Sequence, residues 1–390
     1  MRNLSSYFQS TLILLFPLVA TTQLGKHFWP QSSFVYGIRV DYLSPTLFLL
    51  DLYCLFWLAR EKSKLPFILP RLSPIALLLL ISLLLSTNPL ASAPLAARVL
   101  LYASSSLLLT TPAYHKLLTK GIYLAVFFQL GIGLTQSIRG TSIGGVLYWL
   151  GERPLSLSLS GVARGEFFGS TSLRAYGTFS HPNTLAGWLV GSVLTLSMLN
   201  GGRNTASSVP LLLIGLGLTQ SRLAALASLV FLTLQFFKSS TFLSKASRAL
   251  SFFLLILLIF SLIPLSRNPT SISERLLLMR ASQSIFLKTP YFGSGLNASI
   301  SSYPSFAPGV RLLQPDHSLP TLLLSQLGIF GLASLLLFLR VYLKHNRSPL
   351  FLLPLAVLIL GDHYLLTSPQ GLWLLTLILS LFHPLNYRSV

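Results

Sequence analysis

The chain reads as an all-α integral membrane protein with about twelve helices crossing the bilayer, an expectation carried by three observations. Of its 390 residues, 52% are apolar and only 9% are charged, whereas a soluble domain carries roughly 25% charged residues. The mean hydropathy is +0.70. The apolar residues gather into Leu-rich runs of about 17–22 residues, close to the ~20 a helix needs to cross hydrocarbon. Backbone polar groups in lipid must be satisfied inside helices or closed barrels. Barrel strands would alternate every second residue over segments of roughly ten, and these runs do not alternate.

Taken in order, the runs place spans at 7–24, 44–59, 67–86, 92–110, 119–138, 183–200, 206–220, 222–237, 249–265, 318–339, 349–361 and 369–385. The pair within 206–237 has almost no loop and 349–361 is short, so eleven spans is the alternative reading. The first run follows only Arg2 and resembles the runs after it, which argues for a span and against a cleaved signal peptide. Residues 1–390 read as one polytopic domain without a repeat of 20–50 residues. The single Cys54 excludes an internal disulfide framework and a cysteine-based metal site. Two long hydrophilic stretches, 139–182 and 266–317, are rich in Gly, Ser, Pro and Arg. They are expected to fold into short helices over one mouth of the bundle, since loops of that length in compact proteins are commonly functional.

Orientation follows from the cations. Of the short connections, those on the side of the N-terminus are the richer in Lys and Arg, including Arg60, Lys62, Lys64, Lys116 and Lys120. The short loops opposite hold Lys26, Arg39 and Arg222. The positive-inside rule therefore places both termini in the cytoplasm and both long loops outside. The long loops bring their own cations, nearly all Arg, with few carboxylates beside them. Arg presents a planar fork that grips phosphate in bidentate fashion, so an anionic ligand such as a pyrophosphate suits that face. Contact with anionic lipid, or pairing with Glu, would use the same residues.

Four local features bear on chemistry. Arg174-Ala-Tyr-Gly-Thr-Phe-Ser-His181-Pro-Asn183 runs into a span. It gathers polar groups at a helix N-terminus, where free backbone N–H groups favour anions. A Ser, His or Asn cap would need the same residues. Thr219-Gln-Ser-Arg222 joins two spans, and its arginine either snorkels to the interface or points into a cavity. In Arg275-Leu-Leu-Leu-Met-Arg280 and the residues after it, Leu276, Leu277, Met279 and Ile285 can make an amphipathic helix lying on the membrane surface. Asp316-His317-Ser318 precedes a span containing Gly328-Ile-Phe-Gly331. Its histidine is either a general base, given a reference pKa near neutrality, or an interfacial neighbour of a capping Asp316 or Ser318. No Asp-x-Asp or carboxylate cluster offers a hard-metal site for Mg²⁺ or Mn²⁺.

The order and spacing of these motifs carry a resemblance. Arg174 with Gly-Thr-Phe-Ser-His181-Pro-Asn183, then Ser221-Arg222, then Arg275 with Pro290-Tyr-Phe-Gly-Ser-Gly295, then His317-Ser and Gly328-Ile-Phe-Gly331 resemble the O-antigen ligase and polymerase family. The resemblant region is about 174–332, and Gly37-Ile-Arg-Val-Asp-Tyr-Leu with Asp51 is similar to the opening of some members. The resemblance implies a bacterial inner-membrane glycosyltransferase acting on the extracytoplasmic side. It would move a glycan from an undecaprenyl-pyrophosphate carrier to a hydroxyl on a lipid, glycan or protein acceptor. It implies inversion at the anomeric carbon, no cofactor, no metal and no nucleic-acid partner. Carried onto this chain, Arg174, Arg222 and Arg275 would contact the pyrophosphate, with Arg280 a further candidate. His181 and Asn183 would bind substrate, and His317 would orient or deprotonate the acceptor. A repeat-unit polymerase is the alternative within the family. A transporter or flippase of lipid-linked sugars is the alternative outside it; mid-span Asp51 is the charge that would serve transport, or else anchor helix packing.

Overall fold

The computed structural model describes residues 2–167, 169–201, 208–237, 269–306, 313–343 and 349–382, with a few residues between 249 and 256. Twelve helices longer than two turns lie among them. They are α1 (Arg2–Ala20), α2 (Leu49–Arg60), α3 (Leu65–Leu84), α4 (Pro89–Leu109), α5 (His115–Arg139) and α6 (Pro182–Leu199). The series continues with α7 (Val209–Thr219), α8 (Arg222–Phe237), α9 (Pro269–Lys288), α10 (Leu319–Leu343), α11 (Leu353–Gly361) and α12 (Pro369–Phe382). This is the mostly helical architecture expected of an α-helical membrane protein. Among the described residues, four helical segments are long and apolar enough to cross a bilayer: Lys62–Leu84, Pro89–Leu109, Pro112–Arg139 and Leu319–Leu343.

Several elements differ from expectation. The span expected at 44–59 begins as strand Thr46–Phe48, paired antiparallel with Gly25–His27. Only Leu49–Arg60 is helical, which at 1.5 Å per residue reaches about 18 Å, short of the ~30 Å hydrocarbon core. The first long loop holds an antiparallel hairpin, Arg164–Phe167 with Ser170–Leu173, and one short helix, Val146–Trp149, where only short helices were expected. The second loop is dominated by the 20-residue α9. Its buried stripe is Leu278, Ala281 and Ile285, packed on Val35, Val40, Leu43, Ala91, Ile300 and Tyr303. Leu276 is instead exposed. Of the apolar residues expected to make this helix amphipathic, Ile285 alone belongs to the buried stripe, because a helix buries positions three and four apart. The span expected at 249–265 lies largely outside the described residues.

The core is built around α6. Apart from Asn183, every residue from Pro182 to Met198 is buried, as befits a helix without charge on any face. It packs against α5, α7, α8 and α12. Asp51 proves to be an anchor. At the third position of α2 it accepts from the Phe48 backbone N–H at 3.0 Å and the Tyr102 hydroxyl at 2.6 Å, and pairs with Arg98 at 3.1 Å.

Two further devices position the loops. Buried Gln136 on α5 accepts from the N–H groups of Tyr176 (3.0 Å) and Gly177 (2.8 Å) and donates to Glu152 and the Gly177 carbonyl. Gln129, two turns earlier, accepts from the Thr178 N–H and donates to its hydroxyl. These amides replace the ladder that an irregular buried loop lacks.

The second device joins two glycine motifs. The α10 helix breaks at Gly328, whose φ is 64° and ψ −173°, a region essentially closed to side-chain-bearing residues. Through the break, Ile329 N–H donates to the Pro290 carbonyl and Phe330 N–H to the Tyr291 carbonyl. Ser294 and Gly295 N–H groups donate to the carbonyls of Ser325 and Gln326. Tyr291-Phe-Gly-Ser-Gly295 and Gly328-Ile-Phe-Gly331 are thus two halves of one backbone clasp, which fixes α10 and the His317 at its entrance.

Candidate active site

A cavity of about 860 Å³ opens where α6 and α10 begin and α11 ends. Its walls include Tyr42, Arg153, Arg164, His181, Asn183, Glu274, Arg275, His317, Asp362 and His363. His317 is carried at the start of α10, where the buried Asp316 accepts from the Ser318 N–H at 3.1 Å and from the Thr321 hydroxyl. Capping is therefore the task of Asp316, and the neighbouring imidazole faces the cavity. Its Nδ1 lies 3.5 Å from Asp362 Oδ1, a length suited to an ion pair and too long for a strong hydrogen bond. Asp362 Oδ1 also accepts from the His363 backbone N–H at 2.9 Å. The His363 ring sits 5.2 Å from that of His317, held by a 2.6 Å hydrogen bond between its Nδ1 and the Thr367 hydroxyl.

The expected site residues divide into two groups. His181, Asn183, Arg275 and His317 line the cavity together. Arg275 Nη1 also donates to the Gly361 carbonyl at 3.2 Å, tying α9 to the end of α11 beside Asp362. Arg174 stands behind the wall. Its Nε donates to the Thr219 carbonyl at 2.6 Å and its Nη2 to Asn183 Oδ1 at 2.8 Å. Arg174 and Arg222 feel one another's charge, yet neither lines the cavity. Arg280 is also outside the lining, since five helical residues turn it about 140° from Arg275. His181 combines both of its expected roles: it lines the cavity, and its Nδ1 accepts the Asn183 N–H at 3.1 Å as the α6 cap.

Arg153, Arg164, Tyr42, Asp362 and His363 line the cavity too, though none of them was assigned a site role from the sequence. Arg153 Nη1 donates to the Ser180 carbonyl at 3.1 Å, setting a guanidinium beside His181. The one signal for Asp362-His363 was an acid and a histidine following a short apolar run. The sequence has no carboxylate cluster, but the structure gathers His317, Asp362 and His363 so that their ligand atoms lie within 4.8 Å of one another. Sequence separation had concealed this mixed nitrogen–oxygen triplet.

Electrostatics follow from burial against a cationic wall. Desolvation within the cavity, aided by Arg174, lowers the His181 pKa even though its ring reaches solvent. Burial likewise lowers His363 to about 4, against the pull of Asp362. For Asp362, burial pushes the carboxyl up, but its contact with His317 and the field of His363 outweigh it and hold the pKa below the usual value. Burial raises the Tyr42 phenol to about 12, leaving it a donor at neutral pH. Arg174 is lowered to about 10, chiefly by burial, and stays charged.

These shifts predict a pH dependence. His363 is depressed in the folded state, so its contribution to stability is complete above the ordinary histidine pKa of about 6.5. That contribution is lost as pH falls from about 6.5 towards 4, because the unfolded chain takes the proton first. For this 6%-exposed group the loss is on the order of 3 kcal/mol. The Asp362 contribution is retained throughout this window and is lost only in stronger acid. Melting curves of detergent-solubilised protein from pH 7.5 to 4.5 should show a falling transition temperature, with a shallower slope in His363→Gln. Equal slopes would contradict the assignment.

Residues 208–336 match the family model described as O-Antigen ligase. The matched stretch is about a third of the chain, and over it the protein is similar to the O-antigen ligase family. The match spans Arg222, Arg275, Arg280, His317 and both halves of the glycine clasp, and ends before Asp362 and His363. No curated protein and no solved structure matches the chain.

Proposed function

We propose that the cavity is the active site of an inverting, ligase-like glycosyltransferase that uses an undecaprenyl-pyrophosphate-linked glycan as donor. The observation that carries this reading is one cavity lined by an imidazole–carboxylate pair, His317 and Asp362, together with Arg275, Arg153 and Arg164. With Nδ1 turned to a carboxylate, His317 presents Nε2 as a base. The acceptor oxygen attacks the anomeric carbon as its proton passes to His317 Nε2. The bond from that carbon to the pyrophosphate oxygen breaks, and undecaprenyl pyrophosphate leaves with the electron pair. Asp362 orients the ring and offsets the imidazolium charge, as a third group does for other nucleophile–base pairs. The guanidinium groups offset charge growing on the leaving group, which is most effective where water is excluded. His181, kept neutral, does not add to that charge but can donate to a phosphate or sugar oxygen. The acceptor is a hydroxyl on a lipid, glycan or protein, and the cavity faces the extracytoplasmic side of the bacterial inner membrane.

Arg275 provides the test. A charge-assisted hydrogen bond is worth about 1.5–3 kcal/mol, so Arg275→Lys, which keeps the charge and loses the fork, should lower kcat/KM for the lipid-linked donor by roughly 10–100-fold. Inorganic pyrophosphate should inhibit wild type competitively with donor and inhibit the variant more weakly. Unchanged donor kinetics would remove Arg275 from the leaving-group site.

A further inference from the structure

We propose that His317, Asp362 and His363 form a binding site for a divalent transition metal of the zinc type, and that its occupancy switches the transfer reaction off. The inhibitory half of this proposal rests on His317 being the base; the metal site itself does not. Two imidazoles and one carboxylate make a donor set favoured by zinc, cobalt and nickel over the hard ions, which prefer oxygen alone. The three ligand atoms lie within 4.8 Å of one another. Ligands at 2.0–2.1 Å from a tetrahedral zinc are roughly 3.3 Å apart, and His317 Nδ1 and Asp362 Oδ1 already stand at 3.5 Å. His317 Nδ1 is buried and lacks a hydrogen-bond partner among the described residues, an unmet need that a metal would fill. His363 has the outer support typical of a metal-bound histidine, with its Nδ1 bonded to the Thr367 hydroxyl at 2.6 Å and its Nε2 left for the ion. The cavity of about 860 Å³ gives the ion a route in and space for a water as fourth ligand.

The inhibition follows from proton count. A neutral imidazole has one proton for two nitrogens. With a metal on Nδ1 of His317, that proton sits on Nε2, and the lone pair that would accept the acceptor's proton is occupied. The ion also takes the carboxylate that would offset an imidazolium. Arg275 in the same cavity opposes a bound cation, which keeps the site reversible.

Cobalt titration of the purified full-length protein in detergent tests the site without reference to activity. Wild type should take up one Co²⁺ with visible d–d absorption characteristic of low coordination number, displaced by Zn²⁺. His363→Ala and the isosteric Asp362→Asn should each weaken uptake by about tenfold or more, while His27→Ala, in a neighbouring cavity, should bind as wild type does. No d–d signal, or equal uptake by both cavity variants when their melting temperatures show them folded, would overturn the site. In the transfer assay Zn²⁺ should inhibit wild type, with recovery on adding chelator. Metal uptake without inhibition would overturn the switch. Metal uptake by a protein that never transfers glycan would refute the transferase reading and leave the metal site standing.

Discussion

Glycan transfer should fall by about 10²–10⁴-fold in His317→Ala, with donor binding nearly unchanged, as expected when a general base is removed. The reason is local. His317 touches the cavity through an imidazole whose partner, Asp362, lies on the side away from Nε2, and its place in the fold is fixed by Asp316 and the glycine clasp. Because Asp316 carries the helix cap, deleting the imidazole leaves the α10 entrance intact, and the loss should be in kcat. Asp362→Asn should lose less, since the base remains and only its orientation and charge partner are gone. A His317→Ala enzyme with wild-type kcat, assayed with saturating donor and acceptor, would remove this residue from the chemistry.

Gly328→Ala should cost about 2–6 kcal/mol, combining the strain of a glycine-only backbone with forced overpacking. A Cβ there would stand 2.4 Å from the Tyr291 carbonyl carbon and oxygen, and backbone cannot rotate away as a side chain can. Gly293, its partner in the clasp, has φ 70° and would meet Gln326 backbone at 2.3 Å, so the two sites should behave alike. Against a total stability of about 5–15 kcal/mol, the expected outcome is little folded protein recovered in detergent. Gly217→Ala serves as control, since a Cβ there meets nothing within 4 Å. Equal thermal stability of the two variants would contradict the clasp.

How much of this could be read from the sequence depends on the range of the interaction. The helical class was legible because apolar run length is a local property. So was the position of most helices, as for the segment expected at 183–200, found as Pro182–Leu199. What failed needed partners distant in sequence. Thr46–Phe48 becomes a strand because Gly25–His27 pairs with it, and the buried face of α9 is set by Val35, Val40 and Leu43. The site shows the same division. His317 and Arg275 were recognisable as residue types inside short motifs. Asp362 and His363 were not, because their only distinction is that the fold returns them to His317 from 45 residues further on. Arg174 shows the converse. A guanidinium in a polar motif looks like a ligand contact until Thr219 and Asn183 are seen to engage it.

The measurement that tests the central claim most directly is reconstitution. Purified protein in vesicles receives undecaprenyl-pyrophosphate glycan, chelator and a panel of acceptors, and both products are followed. The account predicts that glycan appears on an acceptor with inverted anomeric configuration, one undecaprenyl pyrophosphate being released for each glycan transferred. Glycan that crosses the bilayer with its pyrophosphate bond intact, and joins no acceptor, would contradict it and make the protein a carrier of lipid-linked sugars.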